Sequence, residues 1–339
     1  MTLIRNMEWI LSILAGFAVM SFISSFLEKV RNKWLKLLIF FIRLLAMTGL
    51  GFLMIAAESH ITWTYAYPLM GIYIALFGEC ACDVITCILH CLKKEQTKRS
   101  RLILTGIIVL LYAAYGTFNS QIIREDHLRF SSGKLREKHT FVFFSDLHYG
   151  SSQTSRSFEN ALKQISAEKP EFVLLGGDIC DEHTTKEEML AVFEQLGSLE
   201  MPVYYIYGNH DRQDHGHLIS GKKYTAEEFE QAILNSGITI LQDDFVQFND
   251  EIVLLGREDV SYLSRKAVKD LPARPEGAYV ITVDHNPYQN EDIIETGADL
   301  QLSGHTHAGQ IFPMRLLYNL AGLNVVYTYQ IGPTALYVS

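Results

Sequence analysis

The sequence predicts two unlike parts: an N-terminal all-α four-helix transmembrane region and, behind it, an α/β domain. Three observations predict this. Four long apolar runs crowd the first 118 of the 339 residues. From residue 140 onward, short apolar runs alternate with amphipathic ones, which is the pattern of strands and helices taken in turn. Charge divides at the same place. Residues 1–118 hold 11 Lys+Arg against 6 Asp+Glu, whereas residues 119–339 hold 18 against 32.

The apolar runs cover residues 7–27, 35–57, 61–89 and 102–118. About 20 apolar residues suffice to span a bilayer as helix. The first run does not read as a signal peptide, because it lacks a small-x-small cleavage pattern and more spans follow. Lys29, Arg31, Lys33 and Lys36 separate runs one and two, and Lys93, Lys94, Lys98, Arg99 and Arg101 separate runs three and four. The connection between runs two and three holds only Glu58 and His60. Basic loops stay on the cytoplasmic side. The expectation is an integral plasma-membrane protein of four spans, with everything after residue 118 on the extracellular face.

Three ionisable residues fall inside spans: Arg43, Glu79 and Asp83. Charges at such depth have partners or functions. Arg43 and Asp83 lie at similar distances from their cytoplasmic ends, so they can pair, with Glu79 one turn away. The other reading is that Arg43 snorkels and the acids reach the headgroups. Cys80, Cys82, Cys87 and Cys91 sit in the third run, and Cys180 is alone in the second half. The second half therefore holds no internal disulfide. The four clustered thiols read as small helix side chains, with metal binding as the alternative.

Residues 119–138 are polar and mixed in charge, a linker with some helix. Strands are expected at 141–144, 172–175, 203–207, 238–241, 246–248, 252–255, 279–283 and 300–302. Helices are expected at 158–168, 186–196 and 226–235. The acidic balance of residues 119–339 argues against a polyanion such as nucleic acid as partner.

Short polar motifs follow five of those strands. They are Asp146-Leu147-His148, Gly177-Asp178 with Asp181 behind it, Gly208-Asn209-His210-Asp211, His285-Asn286-Pro287 and Gly304-His305-Thr306-His307. Loops at the C-terminal ends of strands form the ligand crevice of open α/β sheets. Asp146 and His148, two residues apart in extended chain, can chelate one ion. Asp178 has two oxygens and can bridge two ions. Asn209 offers a neutral oxygen, and His285, His305 and His307 offer nitrogens. A nitrogen-and-oxygen set without thiolate suits manganese, iron or zinc. Any one of these residues alone would read as a turn or surface residue; the ordered set reads as a site. His183, His215 and His217 read as loop residues, the last two close enough to line a pocket.

The stretches FSDLHYGS, LLGGDICD, YIYGNHD, VDHNP and LSGHTHAGQ resemble the calcineurin-like metallophosphoesterase family, above all its membrane-anchored branch. The resemblance spans residues 139–338. It implies a two-sheet α/β sandwich and two divalent metal ions. Carried over by motif, Asp146, His148, Asp178 and His307 hold the first metal, and Asp178, Asn209, His285 and His305 hold the second. His210 acts as general acid or transition-state stabiliser, oriented by Asp211. Two cations about 3.5–4 Å apart would clamp a phosphoryl group and activate a bridging water for in-line attack. Ala308 replaces a glycine common in this branch, and relatives continue past Ser339, so an incomplete C-terminal end is expected.

The leading expectation is a membrane-anchored phosphoesterase acting on a phosphate ester or pyrophosphate. A lipid-linked or cell-envelope substrate is favoured by the anchor. The alternatives are a metal-binding sensor or scaffold without turnover, and a transporter with a regulatory phosphatase-like domain.

Overall fold

The structure, a computed structural model, describes residues 2–27, 30, 32–56, 63–94, 96–150, 152–214, 221–322 and 325–339. Lys29, Arg31, Glu58, His60, His215 and His217, named above, lie outside the described residues. The chain divides into two units, Met1–Ser120 and Gln121–Ser339.

The first unit is helical: α1 (Thr2–Leu27), α2 (Lys33–Ala56), α3 (Trp63–Cys91) and α4 (Lys98–Asn119). Among the described residues, three helices are long and apolar enough to cross a membrane, over Lys33–Gly51, Pro68–Cys91 and Lys98–Asn119. The described apolar stretch of α1, Ile10–Ser24, is shorter. Large apolar side chains point outward, Leu45 being 73% and Phe118 76% exposed, as helices facing lipid require. Thr97 caps α4, its hydroxyl accepting the Ser100 N–H at 3.1 Å.

Helices α1 and α3 touch through glycines. A β-carbon on Gly16 would lie 2.4 Å from the carbonyl carbon of Gly71, and one on Gly71 would lie 2.1 Å from the Ser12 carbonyl oxygen. Small residues let backbones approach where lipid provides no hydrophobic drive. The predicted Arg43–Asp83 pair is present, with Nη1 2.7 Å from Oδ2. Glu79 joins it at 3.5 Å from Arg43. Two partners went unread in the sequence. The Arg43 Nη2 donates to the Ser24 hydroxyl at 2.8 Å, and Arg101 meets Asp83 at 2.5 Å and Glu79 at 3.2 Å. All four helices thus contribute to one polar cluster of two cations and two anions. The five cysteines are free thiols.

The second unit holds two sheets. The first is all parallel, in the order β1 (Phe141–Phe144), β2 (Phe172–Leu175), β3 (Val203–Tyr205), β4 (Thr239–Ile240). The second runs β5-β6-β7-β8-β10-β9, with β5 (Asp244–Gln247), β6 (Ile252–Gly256), β7 (Tyr279–Val283), β8 (Leu300–Ser303), β9 (Tyr327–Ile331) and β10 (Thr334–Val338). Strands β6, β7, β8 and β10 are parallel, and the edge strands β5 and β9 are antiparallel to their neighbours.

Side-chain alternation on the strands builds the layers. Phe172 and Leu174 of β2 pack with Leu254 of β6, Ile281 of β7 and Leu302 of β8, the core between the sheets. Val173 and Leu175 face the other way, onto helices. Those helices are α5 (Ser155–Glu168), α6 (Lys186–Gly197) and α7 (Ala226–Asn235). Each starts with a threonine capping box, at Thr154, Thr185 and Thr225, which satisfies the orphan N–H groups of the first turn. Ile293 of α8 (Asn290–Glu295) packs on Leu336 and Val338, against the outside of the second sheet.

The expected linker carries no helix between residues 121 and 140. Instead Phe130 and Leu135 pack against the inter-sheet core, and the Arg136 N–H donates to Glu251 at 2.8 Å. Polar composition concealed two apolar anchors.

Candidate metal centre

Strands β1, β2 and β3 end in one direction, as do β7 and β8, because each set is parallel. The motif residues occupy the loops just past those ends. Several of those loops turn through backbone that L-residues seldom adopt. Asp146, His148, Asp178, His305 and His307 have φ of +56°, +44°, +53°, +70° and +46°. Left-handed backbone costs roughly 1–2 kcal/mol for a residue with a β-carbon. Such strain collects at functional sites, held by surrounding hydrogen bonds. Here the Asp146 N–H donates to Gly177 O at 3.0 Å and the His148 N–H to Asp178 O at 3.1 Å.

The glycines of the motifs make room for carboxylates of other motifs. A β-carbon on Gly208 would meet Asp178 Oδ1 at 2.2 Å, and one on Gly304 would meet Asp146 Oδ2 at 2.1 Å. On Gly177 it would meet the Gly208 nitrogen at 2.5 Å. The approach of Gly304 to Asp146 brings the loops of the two sheets together.

The donors form two groups, Asp146 with His148 and His307, and Asp146 with Asp178 and His285. His148 Nε2 lies 3.3 Å from His307 Nε2, and His307 Nε2 lies 3.3 Å from Asp146 Oδ1. Two nitrogens bound tetrahedrally at about 2.0–2.1 Å from one zinc would stand about 3.3 Å apart. Asp178 Oδ2 lies 3.1 Å from His285 Nε2 and 3.9 Å from His148 Nε2, between the two groups. Asn209 Oδ1 is 2.9 Å from His305 Nδ1, and the His305 N–H donates to both oxygens of Asp146 at 3.0 Å.

His285 shows how a tautomer is set. Its Nδ1 is 2.8 Å from the Gly176 carbonyl and donates to it, so in the neutral ring it is Nε2 that keeps the lone pair, on the side of Asp178. Metal-ligating histidines are held in this way by carbonyl or carboxylate partners. Asp178 Oδ2 and His285 Nε2 are both buried, and among the described residues each faces the other with no further hydrogen-bond partner. Buried, closely facing nitrogen and oxygen donors without a thiolate fit a divalent cation.

The electrostatics agree. Burial opposes charge on Asp178, yet the neighbouring His285, His210 and His148 rings hold its carboxyl well below the usual range. Burial opposes charge on His148, but its bond to Asp181 and the nearby Asp178 charge raise its pKa to about 9. Burial likewise opposes charge on His285, and Asp178 outweighs it, so the pKa stands well above the ordinary imidazole value. Protons on these rings occupy positions that a cation would take, and metal binding would displace them.

Two acids have roles that the motif reading missed. Asp181 Oδ2 lies 3.2 Å from His148 Nδ1, and Glu182 Oε2 lies 2.8 Å from His210 Nδ1. Asp211, expected to orient His210, instead accepts backbone N–H groups from Gly208 at 2.7 Å, Asp178 at 2.8 Å and Cys180 at 3.2 Å. Burial and the Asp178 charge push its pKa up to about 6. The signal for Glu182 was its place: a third acid within five residues of the second motif.

Residues 139–309 match the family model for calcineurin-like phosphoesterases. The chain is 32% identical over 216 residues to an uncharacterized metallophosphoesterase of Helicobacter pylori, covering 61% of this chain and 55% of that protein. It is 24% identical over 299 residues to a Danio rerio protein named as a transmembrane protein with metallophosphoesterase domain, covering 78% and 65%. It is 28% identical over 178 residues to phosphodiesterase YaeI of Escherichia coli, covering 50% and 61%. The chain therefore spans just over half the length of the Helicobacter pylori protein it matches.

Proposed function

Because the chain belongs to the calcineurin-like phosphoesterase family, we propose that it is a membrane-anchored, metal-dependent phosphoesterase with a dinuclear centre. The observation that carries this reading is the facing of Asp178 Oδ2 and His285 Nε2 at 3.1 Å, both buried and, among the described residues, with no other hydrogen-bond partner. In this reading Asp146, His148, Asp178 and His307 hold one divalent cation, and Asp178, Asn209, His285 and His305 the other. Manganese, iron and zinc all suit the donor set. Bound cations of this kind supply Lewis acidity toward a phosphoryl oxygen and an activated water.

The protein's own groups do the rest. His210 is fixed at its backbone, where its N–H donates to Asp178 Oδ1 at 2.9 Å. Its ring centroid lies 5.5 Å from that of His148, beside the proposed centre. From there the imidazole delivers a proton to the leaving oxygen as the phosphorus–oxygen bond breaks. Asp211 keeps the backbone of both motif loops in place.

The proposed organisation is a four-span region over residues 1–118, a linker over 119–138 and a catalytic domain over 139–339. The basic loops support placing the N-terminus and the catalytic domain on the outer face of the plasma membrane. Anchoring holds the site near the bilayer and favours a phosphate ester or pyrophosphate on a lipid or envelope component. The name of the Escherichia coli relative leans toward a diester.

The test is hydrolysis of paired chromogenic phosphomonoesters and phosphodiesters by full-length, metal-reconstituted protein. The expected result is activity that Asp178→Asn loses together with bound metal, and that His210→Ala loses with metal retained. Undiminished activity in either variant overturns the assignment.

A further inference from the structure

Two consecutive acids, Asp181 and Glu182, serve two different imidazoles. Asp181 holds Nδ1 of His148 at 3.2 Å, and Glu182 holds Nδ1 of His210 at 2.8 Å. The Glu182 residue is only 4% exposed. Its second oxygen, Oε1, is buried and has no hydrogen-bond partner among the described residues. Burying a carboxylate costs several kcal/mol unless a charged or hydrogen-bonding partner compensates. At Oε2 that partner is the His210 ring.

We propose that Glu182 is the positioning residue of His210, an inference that rests on the phosphoesterase reading above. The residue is held at its backbone and at its ring. The backbone N–H of His210 is tied to Asp178 Oδ1 at 2.9 Å, and Nδ1 is tied to Glu182. An Nδ1–H donated to the carboxylate leaves Nε2 as the atom that can reach a substrate. The pairing also fixes the ring plane, so the proton on Nε2 is aimed rather than swept through rotamers. Asp211 does not take this role: its two oxygens are committed to the backbone N–H groups of Gly208, Asp178 and Cys180. The loop after β2 thus contributes a metal-ligand candidate at Asp178, a brace for His148 at Asp181 and a brace for His210 at Glu182.

The test uses full-length protein and the variants Glu182→Gln, which is isosteric, and Glu182→Ala. Metal content is measured, and kcat and KM are determined for aryl phosphate esters of graded leaving-group acidity. For Glu182→Gln, unchanged metal content and KM are expected. The kcat should fall on the order of 10–100-fold for the least acidic leaving groups, within the range of general acid catalysis. It should hardly fall for the most acidic, which need no proton. In a His210→Ala background Glu182→Gln should add no further loss. A uniform fall across the series, a fall in metal content, or an additive loss in that background overturns the proposal. A crystal structure of Glu182→Ala reads the positioning even if no ester is hydrolysed. The His210 ring should leave its orientation there, and a ring that stays put overturns the inference whatever the enzyme's activity.

Discussion

Gly208 and Asp178 are so close that a β-carbon on the glycine would fall 2.2 Å from the Asp178 Oδ1. The same holds for Gly304 and Asp146 Oδ2, at 2.1 Å. Neither glycine has a positive φ, so what each position requires is space. Gly208→Ala and Gly304→Ala are therefore expected to keep the fold, seen by circular dichroism, while metal loading drops at least about tenfold through the displaced carboxylate. Normal metal content in both variants would show that the carboxylates can shift at no cost.

Asp211 is a structural acid in this arrangement. Asp211→Ala leaves three buried N–H donors without their acceptor. An orphaned buried donor costs about 1–3 kcal/mol, and part of that loss is recovered by relaxation or water. We expect a destabilisation of at least about 3 kcal/mol, or a fall in Tm of roughly 6–12 °C for a domain of this size. Thermal unfolding of the purified variant checks this. A Tm within about 2 °C of the parent would mean that the N–H groups find other acceptors.

The pH dependence of the metal-free protein has a definite sign. His148 is raised from 6.5 to about 9 when folded, against burial and through its Asp181 bond and the Asp178 charge. The stability from that bound proton is complete below about pH 6.5 and is lost as pH rises through about 9. His285, also raised, pulls the same way. The Tm of metal-free protein should therefore fall by several degrees from about pH 6 to about pH 9.5, and metal-loaded protein should give a flatter curve because its cations have displaced the protons. Calorimetry with and without chelator decides it; a metal-free Tm that rises across this window contradicts the assignment.

In the helical unit, removing one charge from a balanced cluster should cost more than removing two. Asp83→Ala leaves Arg43 and Arg101 with Glu79 as the remaining acid of the cluster. Breaking a buried pair from one side costs about 3–5 kcal/mol. The double variant Arg43→Ala/Asp83→Ala should recover at least about 1 kcal/mol of that loss. Thermal stability in detergent is the measurement, and strictly additive losses would show that the 2.7 Å contact carries no coupling.

Much of the α/β unit was legible because each element announces itself locally. Strands β2 and β7 are wholly buried runs bounded by turn residues, and α7 begins at a threonine box. Each has its predicted bounds. The last part was not legible. Strand β9 is largely exposed, and α9 (Met314–Leu320) has seven residues, too short for a helical period to stand out. The motif residues were visible as a set because each follows a strand. The pairing of Glu182 was not, because its partner is 28 residues away and only the folded loops bring them together. Arg101 stayed hidden for a different reason: a basic residue at a helix end reads as a topology signal before it reads as an ion-pair partner.

The proposed centre also has an order in time. Its donors run from Asp146 to His307 and come from both sheets. A ribosome that has made the first sheet has made only part of the cage. The last two histidines emerge after β8, later than every other donor of the centre. In the proposed centre, metal capture is completed only once the loops of both sheets are made, in whichever compartment receives the finished domain. The ion that fills the cage is chosen by the metal supply of that compartment as much as by the donors themselves.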